Sequence, residues 1–410
     1  MRTLAQNYKV LSRKQSSLYP WSGPIPVFPV RGTPYEMGKQ HGTKGRERIP
    51  TTVKESWEFL EKFLGRSRDE ISDDLKIYSE KIANCHPSFK EEMDGISDGA
   101  SVSYDDIVLL NSTINILHKR GGLKGLEGLL CSSFTSWGTA TKGGRVVAGH
   151  NDDGVRFTDQ FLVLLDAKPS EGYRFSSPLI PGYLGYHTIV NESGFAAFGN
   201  GLENGPKAEE IREGVPMWVI FRYLGQFVDN VEDGVKFLKQ VDNGIAGSFL
   251  LVDKNKDSVI VHLSPNNSAV IHPKKGSDYL TLTNHCLVGD LKEHLQLRPE
   301  PSSTHFRYSS ITKAVKDRVG AIGIDQGIEI MSTHYDATKK KDNPSGNTPC
   351  RHYEYEGKFA GTCRSAVVEL GAKNLKMRVG LGNPCTATWV ELVMPYSSKG
   401  SPKRASKARR

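Results

Sequence analysis

Leu129-Leu130-Cys131-Ser132-Ser133-Phe134 (LLCSSF, 129–134) is the stretch whose reading decides the rest. A glycine-punctuated run, GGLKGLEG (121–128), precedes it, and TSWGTATKGGRVVAGHNDDG (135–154) follows. Taken alone, Cys131 reads as a buried cysteine opening a strand. The second reading is that the Leu130–Cys131 bond is cut, so that Cys131 becomes a new N-terminus. The glycine-rich run then serves as the flexible exit for the segment that leaves.

The texture of the chain changes at this point. Upstream, VKESWEFLEKFL (53–64) and DDLKIYSEKIA (73–83) carry apolar residues at helical spacing, and SVSYDDIVLLNSTINIL (101–117) reads as a further helix capped near Ser103. Before them, RGTPYEMGKQHG (31–42) reads as a turn and a helix start. Thr33 is the cap, Pro34 the first-turn proline and Glu36 the first-turn acid. This helix is expected to pack on the sheet, with His41 structural.

Downstream, GRVVAGHN (144–151), FLVLLDAK (161–168), YHTIVNESGFAAFGN (186–200), SFLLVDKNKDSVIVHLS (248–264) and DYLTLTNH (278–285) are β-rich. DKNKD (253–257) has the composition of a hairpin turn. Helices are expected at 215–227, 231–241 and 302–319, and two more strands within 363–395. Strands in blocks and helices in blocks argue for an α+β layered fold. The expected organisation is a mostly helical segment over 1–130, a core over 131–396 and a tail over 397–410.

Composition bounds the classes. The 410 residues are 37% hydrophobic and 24% charged, which is globular. No run of about 18 apolar residues exists, so no membrane span is expected. The first residues lack the apolar centre of a signal peptide, and a soluble, cytoplasmic protein is the expectation. The net charge of +8 is concentrated in SSKGSPKRASKARR (397–410), which holds six basic residues and no acid. That tail reads as a solvated, disordered end, and nucleic acid is not an expected partner. The six cysteines, at 85, 131, 286, 350, 363 and 385, include no CxxC pair and are expected to be reduced.

A thiol nucleophile needs a base. If the chain is cut before Cys131, its own α-amine appears, with an ordinary pKa of about 7.7–8.0, and can act as that base. Such a site needs a group to hold the ammonium and donors for a tetrahedral oxyanion. Asp152 and Asp153 are candidates for the first, and Asn200 and Asn284 for the second. A metal site on His150, Asp152 and Asp153 is the competing reading of GHNDDG (149–154). Cys350, His352 and Cys363 could bind zinc, but their spacing fits no common pattern. Neither a metal nor another cofactor is expected.

RGTPYEMGKQHG, CSSF, GHNDDG, NESGFAAFGNGLE and LTNHCL, in that order, resemble the cysteine-type N-terminal-nucleophile hydrolases. The nearest branch is that of acyl-coenzyme A:isopenicillin N acyltransferase; choloylglycine hydrolases and acid-ceramidase-like amidases are more distant. The resemblance spans roughly 30–395. It implies a four-layer αββα sandwich, autocatalytic cleavage before the cysteine and attack on a linear amide or acyl thioester. It also makes Cys131 the nucleophile and Asp153 the closing aspartate of the G-x-N-x-D pattern. Ser133 falls where the family often has a hydroxyl, and Asn200 and Asn284 match its two asparagines. Two departures stand out: His150 occupies a position that is arginine in choloylglycine hydrolases, and the spacing from Cys131 to Asp153 is a few residues longer than expected. The late arginine falls near GKFAGTCR (357–364); Arg307, Arg351 and Arg364 are candidates for it, with Arg307 favoured. The expected partner is an N-acyl or peptide-like small molecule, with acyl-coenzyme A as a donor, and the two fragments are expected to stay together. The alternatives are an unprocessed binding or scaffold module of the same fold, and a metal-dependent hydrolase centred on His150 and Asp153.

Overall fold

The computed structural model describes residues 8–11, 24–120, 130–155, 162–203, 205–296, 299–352, 354–355 and 358–397. The glycine-rich run 121–128 and the tail beyond Ser397 lie outside the described residues. In chain order the first elements are β1 (Tyr8–Leu11), β2 (Val27–Gly32), α1 (Pro34–Lys44), α2 (Ile49–Leu64), α3 (Arg68–Cys85), α4 (Pro87–Ala100) and α5 (Tyr104–Lys119). From the cysteine onward come β3 (Cys131–Gly138), β4 (Gly144–Val155), β5 (Val163–Pro169), β6 (Phe175–Leu179), β7 (Thr188–Asn191), β8 (Phe195–Gly201), α6 (Met217–Phe227) and α7 (Val231–Gln240). Next are β9 (Gly247–Asp253), β10 (Ser258–Leu263), β11 (Ser268–Ile271), β12 (Tyr279–Leu282), α8 (Gly289–Lys292), α9 (Ser303–Lys316) and α10 (Ile324–Met331). The chain closes with β13 (Tyr335–Asp336), β14 (Lys341–Asp342), β15 (Glu354–Tyr355), β16 (Lys358–Leu370), β17 (Asn374–Leu381) and β18 (Trp389–Pro395).

Among the described residues two eight-stranded sheets result, beside the small pair β13–β14. The first runs β1-β18-β17-β16-β4-β3-β12, with β15 pairing on β16, and is antiparallel throughout. The second runs β11-β10-β9-β8-β7-β6-β5-β2, with one parallel pair, β2 on β5. The sheets meet through β3, β4 and β12 of the first and β8, β9 and β10 of the second. α9 and α10 cover the outer face of the first sheet, and α6 and α7 that of the second. This is the four-layer αββα sandwich that the resemblance implied. Strands from the first 130 residues enter both sheets, since β1 pairs with β18 and β2 with β5.

Strand alternation decides which side chains enter which layer. Phe134 and Val147 turn outward and pack with Ile311, Ile324, Ile328 and Met331 of α9 and α10. Val146 and Ala148 turn inward to the core between the sheets. By the same alternation Cys131, Ser133, His150 and Asp152 face the second sheet, and Ser132, Asn151 and Asp153 face the helices.

Local chemistry explains most boundaries. Thr33 caps α1 in a reciprocal capping box with Glu36, and Ser103 does the same for α5 with Asp106. Residues 253–257 join β9 to β10 as a hairpin. α1 packs on the second sheet as expected, with His41 edge-on to Phe28 of β2, and comes closer still to α4. Gly38 and Gly42 face Gly95 and Gly99, and a Cβ on Gly38 would lie 1.9 Å from the Glu92 carbonyl oxygen. Two readings need correction. The C-terminal block holds three long strands, because Gly371 turns residues 363–382 into the hairpin β16–β17. α10 was not anticipated: eight residues with isoleucines on the buried side are too few to stand out as a period.

Candidate active site

Cys131 is the first residue of β3 and is 2% exposed, with Leu130 at 7%. In this uncut chain its peptide N–H donates to Asn284 Oδ1 at 2.9 Å. The carbonyl of the same peptide bond, on Leu130, accepts from the backbone N–H of Asp153 at 2.7 Å. The bond expected to be cut is therefore held at both ends, its nitrogen by an amide oxygen and its carbonyl oxygen by a backbone donor.

The carboxylate beside the thiol is that of Asp152, which stands directly across from Cys131 on β4. The thiol donates to its Oδ1 at 3.6 Å. The other oxygen pairs with Arg364 and lies 3.4 Å from His187 Nδ1. Arg364 rests on the Tyr186 ring, 3.7 Å from its centroid. Asp153, on the opposite side of β4, has its Oδ1 bound by Thr362 Oγ1 at 2.7 Å and its Oδ2 3.7 Å from Arg351. Its carboxyl is fully buried, and that burial raises its pKa against the pull of Arg351 and Arg307.

Arg307, from α9, is fully buried. It donates to the Cys131 carbonyl oxygen at 2.6 Å, to Ser132 Oγ at 3.0 Å and to Asn284 Oδ1 at 2.7 Å. Burial pulls it down to about 10, which leaves it cationic at neutral pH. Asn284, just after β12, also donates from Nδ2 to the Gly201 carbonyl at 2.8 Å. Ser133 Oγ donates to Asn200 Oδ1 at 2.7 Å across the two sheets. The buried Nδ2 of Asn200 has no hydrogen-bond partner among the described residues. A buried donor left unspent is costly and favours any acceptor that can reach it.

Burial pushes the Cys131 thiol up to about 12, the nearby Asp153 charge adds to this, and Arg307, Arg364 and the Gly201 amide oppose it. The thiol of the uncut chain is therefore protonated at neutral pH. Burial likewise lowers His187 to about 3.

Of the expected residues, Cys131, Asn284 and Arg307 form one connected cluster, Ser133 and Asn200 form a bonded pair between the sheets, and the Asp153 side chain points the other way. His150 and Asp153 are not brought together as a metal pair. His150 Nε2 meets the Gly199 carbonyl at 2.9 Å and its Nδ1 meets Thr188 Oγ1 at 3.0 Å, so both ring nitrogens are engaged. Cys131, His150 and His187 do place ligand atoms within 4.8 Å of one another. Cys363 lies apart from Cys350 and His352, with its thiol on the Asp152 carbonyl at 3.1 Å. Sequence reasoning named Asp152 and Arg364 among its candidates but favoured Asp153 and Arg307 over them. The signal that finds them is register: the residue opposite Cys131 on β4 is Asp152, and Asp152 is opposite Arg364 on β16.

Residues 139–380 match the family model described as acyl-coenzyme A:6-aminopenicillanic acid acyl-transferase. An uncharacterised protein of Archaeoglobus fulgidus is 24% identical over 343 residues, covering 74% of this chain and 56% of that protein. The match thus spans little more than half the length of that relative. Among solved structures, a Caenorhabditis elegans N-acylethanolamine-hydrolyzing acid amidase ortholog is similar with a TM-score of 0.42 at 14% identity, over 58% of this chain and 92% of that one. The R18L variant of a Clostridium perfringens conjugated bile acid hydrolase gives 0.40 at 10% identity, over 66% and 99%. An Agrobacterium tumefaciens penicillin V acylase gives 0.39 at 14%, over 61% and 83%.

Proposed function

The chain belongs to the acyl-coenzyme A:6-aminopenicillanic acid acyl-transferase family, and on that premise we propose that it is a self-processing cysteine amidohydrolase or acyltransferase with Cys131 as its working N-terminus. The observation that carries this reading is the held peptide bond: Leu130 oxygen on the Asp153 N–H and Cys131 nitrogen on Asn284.

Processing starts when Asp152 takes the thiol proton and Cys131 Sγ attacks the Leu130 carbonyl carbon. The Asp153 N–H holds the oxyanion that develops. The C–N bond breaks and the nitrogen takes a proton, leaving a thioester between Leu130 and Cys131 Sγ. Water hydrolyses the thioester, which gives a Leu130 carboxylate, a free thiol and a free α-amine. Asn284 Oδ1 then faces that amine, and Arg307 keeps the Cys131 carbonyl in place. In turnover the amine accepts the thiol proton as Sγ attacks a substrate acyl group. The unspent Asn200 Nδ2 is a donor for the new oxyanion. The leaving amine or thiol departs protonated, and water or an amine acceptor takes the acyl group from Cys131.

The substrate class is an N-acyl or peptide-like small molecule, or an acyl-coenzyme A donor. Tyr186, stacked on Trp218 with ring centroids 4.3 Å apart, carries Arg364 on its other face and so fixes that cation beside Asp152. The processed protein is to be incubated with penicillin V, N-acyl amino acids, N-acylethanolamines and acyl-coenzyme A thioesters. An acyl adduct on Cys131, absent in Cys131→Ala, is the expected result. No adduct and no turnover with any amide or thioester would contradict the reading.

A further inference from the structure

Four side chains outside the proposed active site converge on one point: His334, Cys350, His352 and Cys385. His334 Nε2 lies 3.0 Å from His352 Nε2 and 3.3 Å from Cys350 Sγ. His352 Nε2 lies 3.5 Å from Cys350 Sγ and 3.2 Å from Cys385 Sγ, and the two sulfurs are 3.6 Å apart. Tetrahedral zinc, with Zn–S near 2.3 Å and Zn–N near 2.0–2.1 Å, spaces its ligand atoms by roughly 3.3 Å for N···N, 3.5 Å for N···S and 3.8 Å for S···S. The observed spacings follow that order and stay within about 0.3 Å of it. The two imidazole planes stand at 74°, which lets both Nε2 atoms approach one centre without the rings clashing. Cys350 is buried and the other three are half-buried, so an ion can enter.

We propose that these four residues form a structural Cys2His2 site for zinc or a metal of similar preference. The ligands lie far apart in sequence, at spacings of 16, 2 and 33 residues, which is why no sequence pattern announces them. The site has a clear task. Residues 333–352 contain only the short hairpin β13–β14. One ion would tie both ends of this stretch to the β17–β18 turn, where Asn383 Nδ2 also donates to the Arg351 carbonyl at 2.7 Å. Surrounding bonds already aim the ligands: Cys350 N donates to the Thr333 carbonyl at 3.2 Å and His352 N to the Pro344 carbonyl at 2.8 Å.

The site also borders the chemistry. Arg351, between two ligands, is the cation beside Asp153, and its N–H donates to Thr362 Oγ1 at 2.9 Å. Metal loss should therefore loosen Asp153 and slow self-cleavage. That consequence rests on the processing mechanism; metal binding does not.

Protein purified without chelators is assayed by elemental analysis and then reconstituted with cobalt(II). About one zinc per chain is expected, with the visible bands and thiolate charge-transfer absorption of tetrahedral cobalt. Cys385→Ser and His334→Ala should each retain less than about a tenth of the metal, and Cys286→Ser all of it. A wild-type chain that takes up no zinc on dialysis would overturn the proposal. So would a Cys350–Cys385 disulfide in the isolated protein, or metal retained equally by the ligand variants. The wild-type metal content and cobalt spectrum hold as tests even if the variants fail to fold, and whether processing occurs does not affect them.

Discussion

The backbone N–H of Asp153 donates to the carbonyl oxygen of Leu130 at 2.7 Å. The adjacent residue, Asp152, presents its carboxylate to the Cys131 thiol at 3.6 Å. Two neighbouring aspartates thus flank the Leu130–Cys131 junction, one through its main-chain N–H on the Leu130 carbonyl and the other through its side chain on the thiol.

This division predicts unequal effects of isosteric changes. Asp152→Asn removes the thiol's proton acceptor and should slow processing by about 10²–10⁴-fold. Asp153→Asn keeps the N–H and should slow it by less than about tenfold. Cleavage time courses of freshly translated chains, followed by gel, measure both. A larger effect from Asp153→Asn would assign the proton-accepting role to that carboxyl instead.

Arg307 satisfies three buried oxygens with a planar fork. Lysine keeps the charge but not the geometry. Arg307→Lys should fold and lose about 10–100-fold in processing or turnover, whereas Arg307→Met should also lose about 3 kcal/mol of stability by stranding those oxygens. Denaturant titration beside activity separates the two, and a Lys variant with unchanged rate would remove Arg307 from the mechanism.

Two buried histidines outside the site predict acid lability. His41 accepts from the Gly182 N–H at 3.1 Å and His262 from the Leu287 N–H at 3.1 Å. Burial lowers His41 to about 4 and His262 to about 3, from an ordinary 6.5. Because the folded values are depressed, the stability each neutral ring contributes is complete above 6.5 and is lost as pH falls toward 3–4. Each adds a slope of up to about 1.4 kcal/mol per pH unit in that window. Unfolding free energy measured from pH 7 to 4 should fall, and less steeply in His262→Gln; a flat profile would contradict the assignment.

The α1–α4 contact predicts a steric effect distinct from a conformational one. A Cβ on Gly95 would meet the Tyr35 carbonyl at 2.2 Å, so Gly95→Ala should cost about 3 kcal/mol. Gly65 lies in open space with φ at +61°, and Gly65→Ala should cost only about 1 kcal/mol, from strain alone. Equal losses in chemical denaturation would mean that the helices do not approach so closely.

Much of this architecture was legible in local chemistry. Thr33 and Ser103 announce their helices because a hydroxyl three residues before an acid has a local use, and DKNKD announces its hairpin because the Asp253 carboxylate accepts from the Asn255 N–H within the turn. The change from helical to strand texture around Cys131 pointed to an α+β layered fold, and the resemblance carried by the ordered motifs implied the αββα sandwich. What was not legible is pairing between distant segments. Nothing near Asp152 in sequence states that Cys131 will stand opposite it, or that Arg364 will flank it on the next strand. GHNDDG drew attention to its last aspartate, while strand alternation turns that side chain away from the thiol. Cys350 and His352 were raised as zinc candidates with Cys363 as their partner; His334 and Cys385 were missed for the same reason, because only the β17–β18 turn brings Cys385 to the others.

The most direct test is the intact mass of the purified chain beside its Cys131→Ala variant. Two fragments that break between Leu130 and Cys131 in the wild type, with a single full-length mass in the variant, are the predicted result. One uncut mass in both proteins would contradict self-processing at Cys131.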